Sequence, residues 1–354
     1  MIQLLIAATI SFSFTILVTP IAIRVLRARS IGQFIQEDVQ GHSHKRGTPT
    51  MGGVVIIFGA LLGYAGAHFR LFTLGDGVDL RMYPFTPEGL LAVLAFVGMG
   101  FIGFLDDFAK YARKHNQGLS KRWKVLGQLA VAGTFAWGAQ RIGVSTELSF
   151  VRPLGIDLGP ILYFLLVLFM LTAAANAVNL TDGLDGLVAG SVSLVVGAYV
   201  LIAFWQFRNI ALYLVDINGA LDLARFAAAV VGAALGFLWW NAAPAKIFMG
   251  DTGSQAFGGA LAALALLTNT QLLLVLLGGL YVVETLSVIG QVFTFRVFGR
   301  RVLRMAPIHH HFELKGWPET TVIVRFWILT GIAVALGVGV FYADFLNATG
   351  GGSP

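Results

Sequence analysis

Apolar runs of membrane length recur along the whole chain. A bilayer core needs about 20 consecutive apolar residues per helical span, and within lipid only helices and closed barrels satisfy their own backbone. Such windows fall near 2–26, 51–69, 88–105, 123–140, 160–178, 186–205, 223–240, 254–268, 271–293 and 322–343. They predict an all-α integral membrane protein with ten transmembrane helices, the eighth of them short. No polar stretch is long enough to fold alone, so residues 1–354 read as a single domain. Charged residues make up 12% of the chain, against about 25% in soluble domains. The first apolar run has no basic segment ahead of it and reads as a retained span rather than a cleaved signal. The absence of cysteine excludes a disulfide framework and thiolate chemistry.

The net charge of +6 reads as a topology signal rather than a nucleic-acid surface. All lysines and arginines except Arg70, Arg81, Arg141, Arg152, Arg208 and Arg225 fall in one alternate set of connections, 22–50, 106–124, 176–186, 241–254 and 294–325. By the positive-inside rule this set is cytoplasmic, and an even number of spans puts both termini outside. The same connections hold the unusual polar residues. The outer acids Asp76, Asp79, Glu88, Glu147, Asp157, Asp216 and Asp222 read as isolated loop residues. One site at the inner face is therefore expected.

Five stretches contribute to it. In "NAVNLTDGLDG" (176–186), Asn176, Asn179, Asp182 and Asp185 recur every third residue. Gly183 and Gly186 argue for a helix end, a tight turn and a new helix start rather than one continuous helix. Capping would explain some of these residues, but four at one short connection exceed what capping needs. "FLDDFAK" (104–110) ends the third span with Asp106 and Asp107. Negative charge at a helix C-terminus opposes the helix dipole and invites a cation. Paired carboxylates bind a divalent ion, or one of them accepts a proton. "KIFMGDTGS" (246–254) places Asp251 just before an apolar helix that Ser254 could cap. Helix N-termini attract phosphate, and a carboxylate there suits phosphate only with a metal such as Mg²⁺ between them. Phe248, three residues earlier, could stack on a base. "KRGTPTMGG" (45–53) is basic and hydroxyl-rich but lacks the spacing of a nucleotide P-loop. "PIHHHFE" (307–313) carries His309, His310 and His311, which cannot all point one way on a regular element. Beside Arg300, Arg301 and Arg304 they suit an anion better than zinc.

Together, in this order and over almost the whole chain, these motifs resemble the signatures of the polyprenyl-phosphate N-acetylhexosamine-1-phosphate transferases. "PIHHHFE" resembles the branch that takes UDP-N-acetylmuramoyl-pentapeptide rather than UDP-N-acetylglucosamine. The resemblance implies a Mg²⁺-dependent reaction of peptidoglycan biosynthesis. Undecaprenyl phosphate attacks the sugar-side phosphorus, lipid I forms and UMP leaves, at the cytoplasmic face of a bacterial inner membrane. It implies that Asp251 coordinates Mg²⁺, that Asp106 and Asp107 face the lipid phosphate, and that Asp182 with Asn179 organises the centre. Phe248 would stack on uracil beside Gly183, Leu184 and Asp185, with Lys45, Thr50 and Asn241 on the nucleoside side. His310, with His309 and His311, would reach the phosphates or the sugar, and Lys110 would add positive charge at the transferring group. A homodimer is also implied.

A secondary transporter is the rival from another class. It requires polar residues near mid-span, and the span cores are nearly free of charge, with Glu284 in the ninth span the main exception. A UDP-N-acetylglucosamine transferase is the nearer rival.

Overall fold

The structure is a computed structural model, and it describes residues 1–29, 32, 47–70, 81–113, 118–213 and 215–350. The chain is mostly helical. Twelve helices follow in order among the described residues: α1 (Ile2–Ala28), α2 (Gly53–Gly66), α3 (Pro87–Arg113), α4 (Lys121–Arg141), α5 (Gly159–Thr181), α6 (Leu187–Arg208), α7 (Ile217–Asn241), α8 (Gly250–Leu267), α9 (Leu273–Leu277), α10 (Gly279–Phe298), α11 (Ile308–Glu313) and α12 (Glu319–Ala348). Seven of them, α1, α3, α5, α6, α7, α10 and α12, are long and apolar enough to cross a membrane. Apolar side chains cover their outer faces: Leu17, Phe101, Ile161, Phe169, Leu201, Phe293 and Ile328 are all exposed. In water such a surface would be untenable; in lipid it is the expected exterior.

The remaining three expected spans have physical reasons to differ. Helix α2 has 14 residues, α4 is polar in its first turn and carries Gln128 and Gln140 further along, and α8 opens on polar residues. Helix α8 is the centre of the bundle, buried at every position from Thr252 to Leu267, with α2, α3 and α5 packed around it. The expected ninth span, 271–293, is not one helix. It breaks at Gly278–Gly279 into the five-residue α9 and the longer α10, as two consecutive residues of poor helix propensity allow.

Two short antiparallel ribbons were not expected from the apolar pattern: β1 (Phe69–Arg70) with β2 (Arg81–Met82), and β3 (Glu147–Ser149) with β4 (Pro153–Asp157). The second is tied to α12, where Arg152 donates to both oxygens of Asp344 at 2.7 and 2.8 Å. The reading of Asp222 as an isolated loop acid is also corrected. Asp222 is fully buried, with one oxygen 2.8 Å from His68 Nε2 and the other accepting from Tyr64, Thr86 N and Thr86 Oγ1. This network joins the ends of α2, α3 and α7. Asp216 caps α7 by accepting from the N–H groups of Asn218 and Gly219.

The approach of α3 to α8 depends on small residues. A Cβ on Gly103 would overlap the backbone of Asp251 and Thr252. Gly103→Ala should therefore lower the stability of the detergent-solubilised protein by about 1–3 kcal/mol through overpacking. Gly339→Ala, at a position with nothing within 4 Å, should be neutral or slightly stabilising. Thermal unfolding of the two variants side by side checks this; equal midpoints would contradict the close α3–α8 contact.

Candidate functional site

The polar end of the bundle is organised around the first turn of α8. Free N–H groups at the start of a buried helix need acceptors. They find one on a different helix. Asp107 of α3 accepts from the N–H of Asp251 at 3.2 Å, the N–H of Thr252 at 3.0 Å and the hydroxyl of Thr252 at 2.7 Å. The expected cap, Ser254, instead lies inside the helix, donates to the carbonyl of Gly250 and accepts from Asn179. Asp107 had been expected at a helix C-terminus, and this is corrected as well. Helix α3 continues to Arg113, so Asp106 and Asp107 lie well inside it. The unfavourable charge is offset locally by Lys110, 2.7 Å from Asp106 Oδ2 and 3.6 Å from Asp107 Oδ1.

Capping brings Asp251 into the same cluster. Its Oδ1 accepts from Asn179 at 3.0 Å and lies 3.2 Å from Lys110 Nζ. Its Oδ2 is 2.5 Å from Lys124 Nζ. Oxygens of Asp106, Asp107 and Asp251 all lie within 4.8 Å of one another. Three carboxylates face two ammonium groups. The donor set is made of hard oxygens, as Mg²⁺ requires, so the residues fit that ion. Asp107 is committed to the start of α8. Asp106 also accepts from the N–H of Leu119 at 3.0 Å, and Asp251 meets side chains from neighbouring helices, Asn179, Lys110 and Lys124.

Lys124 is the site residue that sequence reasoning missed. It belongs to "KRWK" (121–124) at the start of α4, and its charge had been absorbed into the topology signal. Its anchorage continues one turn further along α4. Gln128 is fully buried, donates to Gln255 at 2.9 Å and accepts from Asn176 at 3.0 Å. An amide layer beneath the carboxylates thus ties α4, α5 and α8 together.

The turn between α5 and α6 has the expected form, with α5 ending at Thr181, Gly186 at φ 78° and α6 starting at Leu187. Asp182 is half-buried at the end of α5. Burial, reinforced by the negative charges of Asp251, Asp107 and Asp185, pushes its carboxyl up to about 8. Gly183 is exposed, whereas Leu184 packs in a core with Leu187, Leu280, Val322, Ile323 and Phe326. Asp185 is buried and braces the next loop, its Oδ2 accepting from Ala245 N at 2.8 Å and its N–H donating to Glu319 at 3.0 Å. Asn241 is buried too, donating to the carbonyl of Ile247.

Phe248 is half-buried in a segment zipped to residues 49–53. Its N–H donates to Pro49, and its carbonyl accepts from Gly52. Thr50 lies beside Gly250 at the start of α8. Lys45 lies outside the described residues. Among the histidines, His309 is fully buried, His310 pairs with Glu313 at 2.7 Å, and His311 accepts the N–H of Arg304 at 3.0 Å. Their three directions agree with the expectation from consecutive positions.

A helical membrane bundle that gathers carboxylates, ammonium groups and amides at one end has the build of an integral-membrane enzyme acting on phosphorylated substrates. Residues 90–269 match the model of glycosyl transferase family 4, and residues 45–57 match signature 1 of the phospho-N-acetylmuramoyl-pentapeptide-transferases. Proteins with that name from Frankia casuarinae, Mycobacterium leprae and Rhodococcus jostii are 51%, 47% and 48% identical to this chain, over 98%, 98% and 99% of it and 99% of each of theirs. The chain belongs to the phospho-N-acetylmuramoyl-pentapeptide-transferase family.

The environment of Asp182 has a pH consequence. A carboxyl raised from 3.8 in the unfolded chain to about 8 in the fold binds its proton more tightly when folded. Stability therefore falls as pH rises between those values. In metal-free buffer, Asp182→Asn should gain on the wild type in melting temperature from pH 5 to pH 9. A gap that stays constant across that range would contradict the assigned environment.

Proposed function

We propose that the chain transfers phospho-N-acetylmuramoyl-pentapeptide from its UDP-linked form to undecaprenyl phosphate, releasing UMP and forming lipid I. The observation that carries the site assignment is the Asp106–Asp107–Asp251 cluster held by Lys110 and Lys124. An oxygen of the lipid phosphate forms a bond to the sugar-side phosphorus, and the bond from that phosphorus to the UMP oxygen breaks. One pyrophosphate linkage replaces another, so neither water nor ATP is consumed. The relatives' names favour this over a UDP-N-acetylglucosamine substrate.

In this reading Asp251 and Asp106 hold Mg²⁺. When bound, the ion neutralises phosphate charge and stabilises the leaving UMP. Asp106 orients the lipid phosphate, while Asp107 keeps the start of α8 in place. Lys110 and Lys124 exchange carboxylate partners for phosphate oxygens as substrate arrives. Asn179 holds Asp251. Asp182, half-buried at the turn between α5 and α6, is the carboxyl whose proton can move near neutral pH. Phe248, Gly183 and Thr50 face the nucleoside, and the charge of Lys45 suits its phosphates. His310 and His311 reach toward the sugar or its phosphates. Asp185, Leu184, Asn241 and His309 act from beneath, by supporting the pocket.

Purified protein given both substrates should release UMP only with Mg²⁺ present. Asp251→Asn should remain folded, lose activity by about 10²–10³-fold, and need more Mg²⁺ for what remains. Near-wild-type turnover at an unchanged Mg²⁺ requirement would remove Asp251 as the principal ligand.

The site faces the cytoplasm in this proposal, across a bacterial inner membrane spanned ten times with both termini outside. The support is the basic bias of the connections that carry the site. The chain has no cysteine, so single cysteines report cleanly. Exposed Val302 and Leu154 lie in the two opposite sets of connections. In intact cells, an impermeant maleimide should label Leu154→Cys and spare Val302→Cys until the membrane is permeabilised. The reverse pattern would invert the topology.

A further inference from the structure

Glu284 is an ionisable residue in the apolar helix α10, and it is fully buried. A carboxylate in such a place is costly unless it is compensated. The compensation comes from α11. His309, also fully buried, has Nδ1 3.1 Å from Oε2 of Glu284. Among the described residues this ion pair is the polar contact of both side chains, and no hydrogen bond of ordinary geometry accompanies it. The second ring nitrogen of His309, Nε2, lies against Gly183, where a Cβ would overlap it. Gly183 follows Asp182 in the turn between α5 and α6. A single imidazole therefore spans the distance from a buried carboxylate to the turn that carries Asp182.

We infer that Glu284 is a positioning residue for the transfer reaction, acting through His309 on the Asp182–Gly183 turn. The inference rests on the proposed function of that site. Nδ1 faces the Glu284 carboxylate, which favours a proton on that nitrogen and so sets the tautomer and the plane of the ring. Nε2 is then the nitrogen left for the active-site side, and it meets the one residue type with no side chain to displace it. Leu184, the next residue, is locked in the core beneath α12 (Glu319–Ala348). The turn is thus supported from two directions. His310 follows His309 directly on α11, so the same carboxylate also sets where the histidine helix begins. Glu284 touches no substrate in this arrangement. Its effect passes through geometry.

The test is UMP release by E284L, E284Q and H309Q and by the E284L/H309Q double variant. Leucine suits an apolar helix but removes the acceptor. E284L should lower kcat by about 10–100-fold, the range for loss of a partner that orients a functional histidine. KM for both substrates should stay within about threefold. E284Q keeps an acceptor oxygen and should restore kcat to within about threefold of wild type. In the H309Q background, E284L should cost nothing further. The role is overturned if E284L turns over like the wild type, if E284Q is as slow as E284L, or if E284L costs the same factor with and without His309. Should E284L fail to fold, E284L/H309L replaces the buried pair with apolar groups and restores a packed site. Slow turnover of that variant supports the role, and wild-type turnover refutes it. A wild type that releases no UMP would sink the proposed function itself, whereas an active wild type matched by E284L sinks only the role of Glu284.

Discussion

The start of α8 (Gly250–Leu267) packs among other helices, and its N–H groups need an acceptor there. The helix is buried along almost its whole length, and its first N–H groups open into a crowded bundle. Asp107 supplies the acceptor from α3 (Pro87–Arg113). Much of the site follows from that one capping contact. It fixes the height of α8 against α3, which Gly103 permits by leaving room for the backbone of Asp251. It places Asp251 beside Asp106, and Lys110 follows one turn later on the same helix face. A carboxylate recruited for a helix end thereby gathers two more around it.

Gathered carboxylates repel, and the structure answers the repulsion with two lysines. Lys110 comes from the same helix as the acidic pair, and Lys124 from α4 (Lys121–Arg141). The amide layer of Gln128, Asn176 and Gln255 keeps α4 at the right distance. With three carboxylates to two ammonium groups, the cluster retains an excess of negative charge, which adds to the larger effect of burial in pushing the carboxyl of Asp182 up. In the proposed reaction a divalent cation and then substrate phosphates would reverse the local balance, and each lysine would then serve the phosphates instead of the protein. This is the physical sense in which a site can be ready for two anionic substrates while lined with acids.

Much of this was legible in the sequence. Apolar runs announced a helical membrane protein, and the polar motifs on alternate connections announced one shared site. The glycine-punctuated turn at 183–186 was readable because glycine has few reasons to stand there. Three things were not readable. The cap of α8 comes from a residue 144 positions away, so local capping logic chose Ser254. Lys124 carries the same charge whether it marks topology or binds Asp251, and only packing separates the two. Asp222 looked like loop filler because its partners His68, Tyr64 and Thr86 are scattered along the chain. In each case a long-range contact decided, and spacing along the chain holds no record of it.

The account turns on whether the Asp106–Asp107–Asp251 cluster holds a divalent ion. Electron paramagnetic resonance of Mn²⁺ added to the detergent-purified protein measures this directly, without substrate or turnover. The account predicts a bound Mn²⁺ signal that Mg²⁺ competes away, that Asp251→Asn largely abolishes, and that Asp182→Asn leaves in place. A signal unchanged in Asp251→Asn, in protein that is otherwise folded, would contradict it.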